Sequence, residues 1–439
     1  MKIKRFLSAV LCIVISIVLS GCTFFATDTA ELLSPPALSG DLAPIADILK
    51  ESVTLPFSYK YPSTGKYLSP VTKADLDNDG NYEAVAFYST VDGETTAMHV
   101  NVFTKKNNKW KSVAEQKIVA GGVDRIDFCD LDNDGNLEIL VGWEIYGTSE
   151  MQLAVYSFDK KNLSQRMLQR YTYFLCCDLN EDSKNELFIV NFNSGEATNH
   201  AGLYSIKGEG VTEISGCSLD NTVKSVNEPV LSTLSNGKKA IYIDEIKGAG
   251  AITEVLYMEK NELVNPLLNT ETRENTRTIR SSAIMCKDIN DDGILEIPIY
   301  ESLPSVPSKN NENLYYTNWC SYNGESLTNK RTTIMNLNDG YYLNVPVKWV
   351  GKIAALKDTE NRIRTFYRYD SETQTVGKEL LYIQTFDSDD WDDGKYTSLK
   401  LTEIIRTDST VYAGWTNEGG DEMSVTLEEI KNAVKLIEE

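Results

Sequence analysis

The sequence predicts a mainly β chain: repeated strand–loop–strand units, then a small α+β region. Three observations predict it. A nine-residue loop recurs four times, as DLDNDGNYE (75–83), DLDNDGNLE (130–138), DLNEDSKNE (178–186) and DINDDGILE (288–296). Short apolar runs rich in β-branched and aromatic residues flank each copy, as strands do. The loops begin at 75, 130, 178 and 288, a step of about fifty residues with one double gap. A fixed period of that size means a propeller or a solenoid, in which each unit needs its neighbours to bury its faces.

The loops carry the chemistry. Oxygen side chains at positions 1, 3, 5 and 9 of a tight turn suit a hard cation such as Ca²⁺, which takes about six to eight oxygens at about 2.3–2.6 Å. The candidate ligands are Asp75, Asp77, Asp79 and Glu83; Asp130, Asp132, Asp134 and Glu138; Asp178, Asn180, Asp182 and Glu186; and Asp288, Asn290, Asp292 and Glu296. Position 7 (Asn81, Asn136, Lys184, Ile294) would add a backbone carbonyl. Gly80, Gly135 and Gly293 at position 6 permit the positive φ that folds the loop back. Ser183 replaces that glycine in the third copy, where positive φ costs more, so the third site is expected to be the weakest. An EF-hand is excluded: its bidentate Glu at position 12 is replaced by Ala86, Val141, Ile189 and Ile299, and a strand, not a helix, follows each loop.

With these residues in view, the chain resembles the FG-GAP (VCBS-type) repeats of integrin-α-like β-propellers. The resemblance implies that each loop joins the first two strands of a blade and holds Ca²⁺ through side chains 1, 3, 5 and 9 and the carbonyl of position 7. The double gap is filled by residues 230–243, which read strand, turn, strand, with Leu234, Asn236 and Lys238 in place of oxygen ligands. It reads as a blade that lost its ion. Further strands are expected at 98–103, 151–157, 253–258 and 314–319. The expectation is thus a calcium-loop β-propeller over 55–337 with five countable blades, or six or seven if later strands close the ring.

The N-terminus carries a different signal. Lys2, Lys4 and Arg5 precede a short apolar stretch from Phe6 to Leu19, too short to span a bilayer comfortably, which reads as a removed signal peptide over 1–21. Leu19-Ser20-Gly21-Cys22 resembles the lipobox of bacterial lipoproteins. That resemblance implies lipidation of Cys22 and a protein held on the bacterial cell membrane, facing away from the cytoplasm. Residues 22–54 are read as the lipidated N-terminus and a tether. The formal net charge is −21, and loss of the three leader cations leaves −24, which disfavours nucleic acid as a partner.

Six cysteines follow Cys22. Cys129 and Cys177 share one repeat position, and Cys176 and Cys286 another, which reads as small buried strand residues. From 338 to 439 the repeat stops. Strands are expected there, with a closing helix capped by Thr426 and Glu429 and striped by Leu427, Ile430, Val434 and Ile437, together a small α+β domain. The acids between Asp387 and Asp393 read as a solvated loop, with a second kind of cation site as the alternative.

Catalytic signals are thin, and no catalytic residue is assigned. The two histidines, His99 and His200, are far apart, and no phosphate loop or nucleophile elbow occurs. The leading expectation is a binding or scaffolding module for a protein or glycan, with Trp143, Tyr146 and Trp319 as contact aromatics unless they pack in the core. Two alternatives remain open: a propeller glycoside hydrolase or polysaccharide lyase using paired carboxylates, and an accessory subunit of a membrane complex docking through the C-terminal domain.

Overall fold

The computed structural model describes residues 38, 40–192, 198–223, 225–304, 306, 314–420 and 422–437. The signal peptide, Cys22 and the first part of the expected tether lie outside the described residues. The described residues are mainly β, arranged as six antiparallel sheets that follow one another in sequence except that the last strand returns to the fifth. The first holds Phe57–Tyr59, Val71–Ala74, Glu83–Asp92, Thr95–Lys106 and Lys109–Ile118; the second Val123–Cys129, Glu138–Glu144, Met151–Phe158 and Leu163–Tyr171. The third holds Tyr173–Cys177, Glu186–Asn191, His200–Lys207 and Gly210–Ser218; the fourth Ser225–Val226, Val230–Thr233, Lys239–Lys247, Gly250–Glu259 and Glu262–Val264. The fifth is Ile297–Leu303, Leu314–Tyr322, Leu327–Asn336, Tyr341–Asn344 and Val434–Leu436; the sixth Ile353–Asp358, Ile363–Asp370, Thr375–Asp387, Thr402–Arg406 and Thr410–Thr416. The fourth sheet contains the strand–turn–strand expected at 230–243, its strands joined by a turn with Gly237 at φ +89°.

Strand alternation explains the stacking. In Glu83–Asp92, Val85 and Phe87 face a core shared with Ile139, Val141 and Trp143 of the second sheet, while Ala84, Ala86 and Tyr88 face away. Separate apolar cores then join the second sheet to the third, the third to the fourth, the fourth to the fifth and the fifth to the sixth. Fully burying one Val, Leu, Ile or Phe contributes about 1.5–3 kcal/mol, so each sheet depends on its neighbours. The stack also curves. Arg125, at the edge of the second sheet, reaches past the third to Glu228 beside the fourth, with Nη1 3.1 Å from Oε1.

The outer faces of the two end sheets are covered locally. Helix α1 (Ala43–Ser52) lays the fully buried Ile45 and Leu49 against the outward face of the first sheet. These residues belong to the stretch expected as tether. An i, i+4 apolar pair with a proline in the first turn makes them a docked helix instead. At the other end, Trp391 of the short helix α2 (Ser388–Asp392) packs with Tyr396 and Leu401 on Phe386, Val411 and Ala413 of the sixth sheet. Asp387 caps α2, and Asp390 and Asp392 pair with Lys395 and Arg406, so three of the five acids of this segment are taken up by a cap and ion pairs.

The expected boundary at 337/338 falls inside a hairpin. Gly340 takes φ +76° and donates its N–H to Asn336 O at 2.9 Å, turning Leu327–Asn336 back into Tyr341–Asn344. The capping box of Thr426 and Glu429 is present, but helix α3 (Leu427–Ala433) stops short of the predicted stripe. Val434–Leu436 pairs with Tyr341–Leu343 instead, because a free sheet edge offers these residues a ladder of hydrogen bonds. The C-terminal residues thereby share the core of the fifth sheet. Among the described residues no helix is long and apolar enough to cross a membrane.

Candidate functional site

The four loops share one backbone. Position 4 is left-handed in every copy (Asn78 φ 51°, Asn133 59°, Glu181 62°, Asp291 62°), as is position 6 (Gly80 86°, Gly135 92°, Ser183 68°, Gly293 83°). Ser183 therefore adopts the conformation expected of glycine. The N–H of position 6 donates to the aspartate of position 1 in each loop, at 3.0, 3.1, 3.3 and 2.7 Å in order. The N–H of position 2 donates to the glutamate of position 9 at 3.0, 2.9, 3.1 and 3.1 Å. That second bond draws each glutamate inward from its strand, and burial pushes Glu83 and Glu138 up to about 7.

The loops are not equivalent. In the first, carboxylate oxygens of Asp75, Asp77 and Glu83 lie within 4.8 Å of one another, and in the second those of Asp130, Asp132 and Glu138 do so. Asp77 Oδ1 and Asp130 Oδ1 are buried without a hydrogen-bond partner. A buried acceptor left unpaired is costly, and a hard cation satisfies it, so these two clusters fit a metal ion. In the third and fourth loops the residue at position 3 is an asparagine whose amide bonds within the loop. Asn180 Nδ2 donates to Glu186 Oε1 at 2.7 Å, and Asn290 Nδ2 to Asp292 Oδ2 at 3.0 Å.

Basic residues approach three loops. Lys160 Nζ lies 3.0 Å from Asp77 Oδ2. Lys239 Nζ lies 2.6 Å from the carbonyl of Asp178 and 3.1 Å from its Oδ2. Arg331 donates to the carbonyl of Ile289. Sequence patterns point to none of the three, because each comes from a turn or strand far along the chain from its target.

A second feature is a cleft of about 650 Å³ where the second, third and fourth sheets converge near residues 64–65. Tyr171, buried, donates to Asp124 Oδ2, and Thr64 Oγ1 donates to Asp124 Oδ1 at 2.9 Å. Burial and the Asp124 charge push the Tyr171 phenol far up. The Arg125 guanidinium lies 4.8 Å above the Phe174 ring, and Glu150 on the rim holds Arg170 at 3.1 Å. Glycine is required at 142, since a Cβ there would lie 1.9 Å from the Tyr171 hydroxyl.

The three aromatics expected as ligand contacts divide: Trp143 and Trp319 are core residues, and Tyr146 is 72% exposed. His99 is buried, with Nε2 2.8 Å from Thr90 Oγ1 and Nδ1 2.5 Å from Glu115. The six described cysteines are free thiols; Cys129, Cys177 and Cys320 are buried and the other three half-buried.

No protein-family model and no curated protein matches the sequence. Among solved structures, an exotype rhamnogalacturonan lyase, YesX, is similar over 85% of this chain and 76% of its own at 10% identity, with a TM-score of 0.31. The Bacillus licheniformis rhamnogalacturonan lyase PL11 is similar over 74% of each chain at 13% identity, with a TM-score of 0.30. Scores this low do not establish a common fold.

Proposed function

We propose that this chain is a membrane-anchored extracytoplasmic lipoprotein whose β-sheet array, of the FG-GAP/VCBS type, is stiffened by Ca²⁺ and binds a protein or glycan in the cleft between the second, third and fourth sheets. Asp75, Asp77 and Glu83, and Asp130, Asp132 and Glu138, would hold the ions, which supply fixed positive charge that ties each loop to its strands. One observation carries binding over catalysis. Each carboxylate named in the cleft already has a partner: Asp124 has Tyr171 and Thr64, Glu150 has Arg170, and Glu228 has Arg125. A glycosidase of the paired-carboxylate kind needs one acid and one free base or nucleophile.

Glycan-array and protein pull-down screens should identify a ligand whose affinity falls about tenfold or more, a change of about 1.4 kcal/mol, in Arg125→Ala and in Tyr173→Ala, since Tyr173 also lines the cleft. Unchanged affinity in both variants would place the ligand elsewhere. New reducing ends, or cleavage products, released from a bound glycan would establish the glycoside hydrolase or lyase alternative instead.

Anchoring has its own test. Cys22→Ala should move the protein from the membrane pellet to the soluble fraction with unchanged melting, because the change removes only the proposed attachment point of the lipid. A variant that stays in the pellet after salt and carbonate washing would overturn the lipid anchor.

A further inference from the structure

We propose that the third loop takes no divalent ion because the ammonium of Lys239, from the fourth sheet, already pairs with Asp178, the loop's position-1 ligand. The inference rests on the calcium reading of the other loops. Lys239 begins the strand Lys239–Lys247, where it pairs with Thr233, so its backbone is held by the sheet. Its Nζ sits 3.1 Å from Oδ2 of Asp178, the position-1 ligand side chain, and is held there by a second bond, 2.6 Å long, to the backbone carbonyl of the same residue.

The rest of the loop has adapted to a single charge. Asn180 turns its amide onto Glu186 at 2.7 Å, occupying a position-9 oxygen that a calcium ion would need. Asn180 Oδ1 and Asp178 Oδ1 both accept from the Asp182 N–H, at 2.9 and 3.0 Å. The first two loops differ at both points: position 3 is a carboxylate, and a buried oxygen in each has no partner.

Lys160 at the first loop is a weaker competitor. It touches only Asp77 Oδ2, and its side chain is 65% exposed on a turn, so an arriving divalent ion displaces it into water. Lys239 is 32% exposed and has two contacts to break. Arg331 meets a backbone carbonyl of the fourth loop, not a carboxylate.

The sequence makes the exchange intelligible. The fourth unit has lost the oxygen ligands of its own loop at Leu234, Asn236 and Lys238, and immediately afterwards it supplies Lys239 to the loop before it. The joint between the third and fourth sheets then carries a covalently attached cation, indifferent to the calcium level that governs the first two loops.

The test is a count of bound Ca²⁺ on the intact chain, by equilibrium dialysis with elemental analysis. Lys239→Met should bind one more ion than the parent, Lys239→Arg the same number, and Asp178→Ala in the parent should lose none. The inference is overturned if Lys239→Met gains nothing while melting as the parent does, or if Asp178→Ala loses an ion. A parent that binds no ion would overturn the calcium reading separately, and a Lys239→Met variant that then bound one would still sustain the inference.

Discussion

Chelating divalent cations should lower the melting temperature of the intact protein by several degrees. Sites of this kind in extracellular modules have dissociation constants near 10⁻⁴–10⁻³ M. At millimolar Ca²⁺, roughly tenfold above such a constant, an ion that binds only the folded state contributes about 1–1.5 kcal/mol per site. The two three-carboxylate clusters together should therefore supply about 2–3 kcal/mol, at about 2–4 °C per kcal/mol for a chain of this size. The loss should be local: amide exchange should accelerate in the loops 75–83 and 130–138 and leave the sixth sheet unchanged. Asp77→Ala and Asp130→Ala should each reproduce about half of the effect, and Mg²⁺ should restore little of it, because it demands a tighter octahedron. Identical melting in excess chelator and in millimolar Ca²⁺ would reduce the loops to acidic turns.

Raising the pH should destabilise the fold, and Glu245→Gln should remove much of that loss. Glu245 and Glu254 are wholly buried on adjacent strands of the fourth sheet, where the register places them diagonally on one face. Glu254 Oε1 accepts from Asp220 N at 3.1 Å and Asn265 Nδ2 at 2.7 Å. Its Oε2 and both oxygens of Glu245 have no donor, and a proton held between Glu254 Oε2 and one Glu245 oxygen would satisfy two of the three. Burial pushes Glu254 up to about 7, and burial with the neighbouring Glu254 charge pushes Glu245 well above the carboxylate range. Nearby Asp220 is held low, against its burial, by hydrogen bonds from Thr222 and Asn275 and by Lys247, which also pairs with Glu274.

The sign follows from linkage. Folded pKa values above the unfolded ones mean that the stability of the pair is fully present below about pH 4.5 and is lost as pH rises through the folded values, at about 1.4 kcal/mol per unit of difference. Glu83 and Glu138 shift the same way, so melting is best followed from pH 5 to 9 in saturating Ca²⁺, which on the proposed reading would hold them as carboxylates. A glutamine at 245 keeps a donor for Glu254 and cannot ionise, so its curve should be flatter. Parallel curves for the two proteins would show that the pair does not share a proton.

Much of the loop architecture is legible in the sequence because its bonds are short-range. The aspartate of position 1 takes the N–H of position 6, and the glutamate of position 9 takes that of position 2, within nine residues. The degenerate unit at 230–243 is readable for the same reason, since a two-strand turn with Gly237 needs nothing from elsewhere. Ser183 sets the third loop apart by a local argument, whereas the pairing of Lys239 with Asp178 comes only from the structure. The closing stripe misleads because Val434 and Leu436 suit a strand as well as a helix, and only the free edge at Tyr341–Leu343 decides between them.

Taken alone, the sequence determined the repeated strand–loop–strand unit, the carboxylates that cluster in the first two loops and the capping box of α3, all of which depend on residues a few positions apart. Tertiary structure decided the rest. It brought Lys239 to Asp178 across 61 residues and Arg125 to Glu228 across 103. It also laid α1 over the first sheet and set Glu245 beside Glu254. Such pairings depend on how successive sheets stack and curve, and that is governed by apolar faces whose alternation says which residues are buried but not against what.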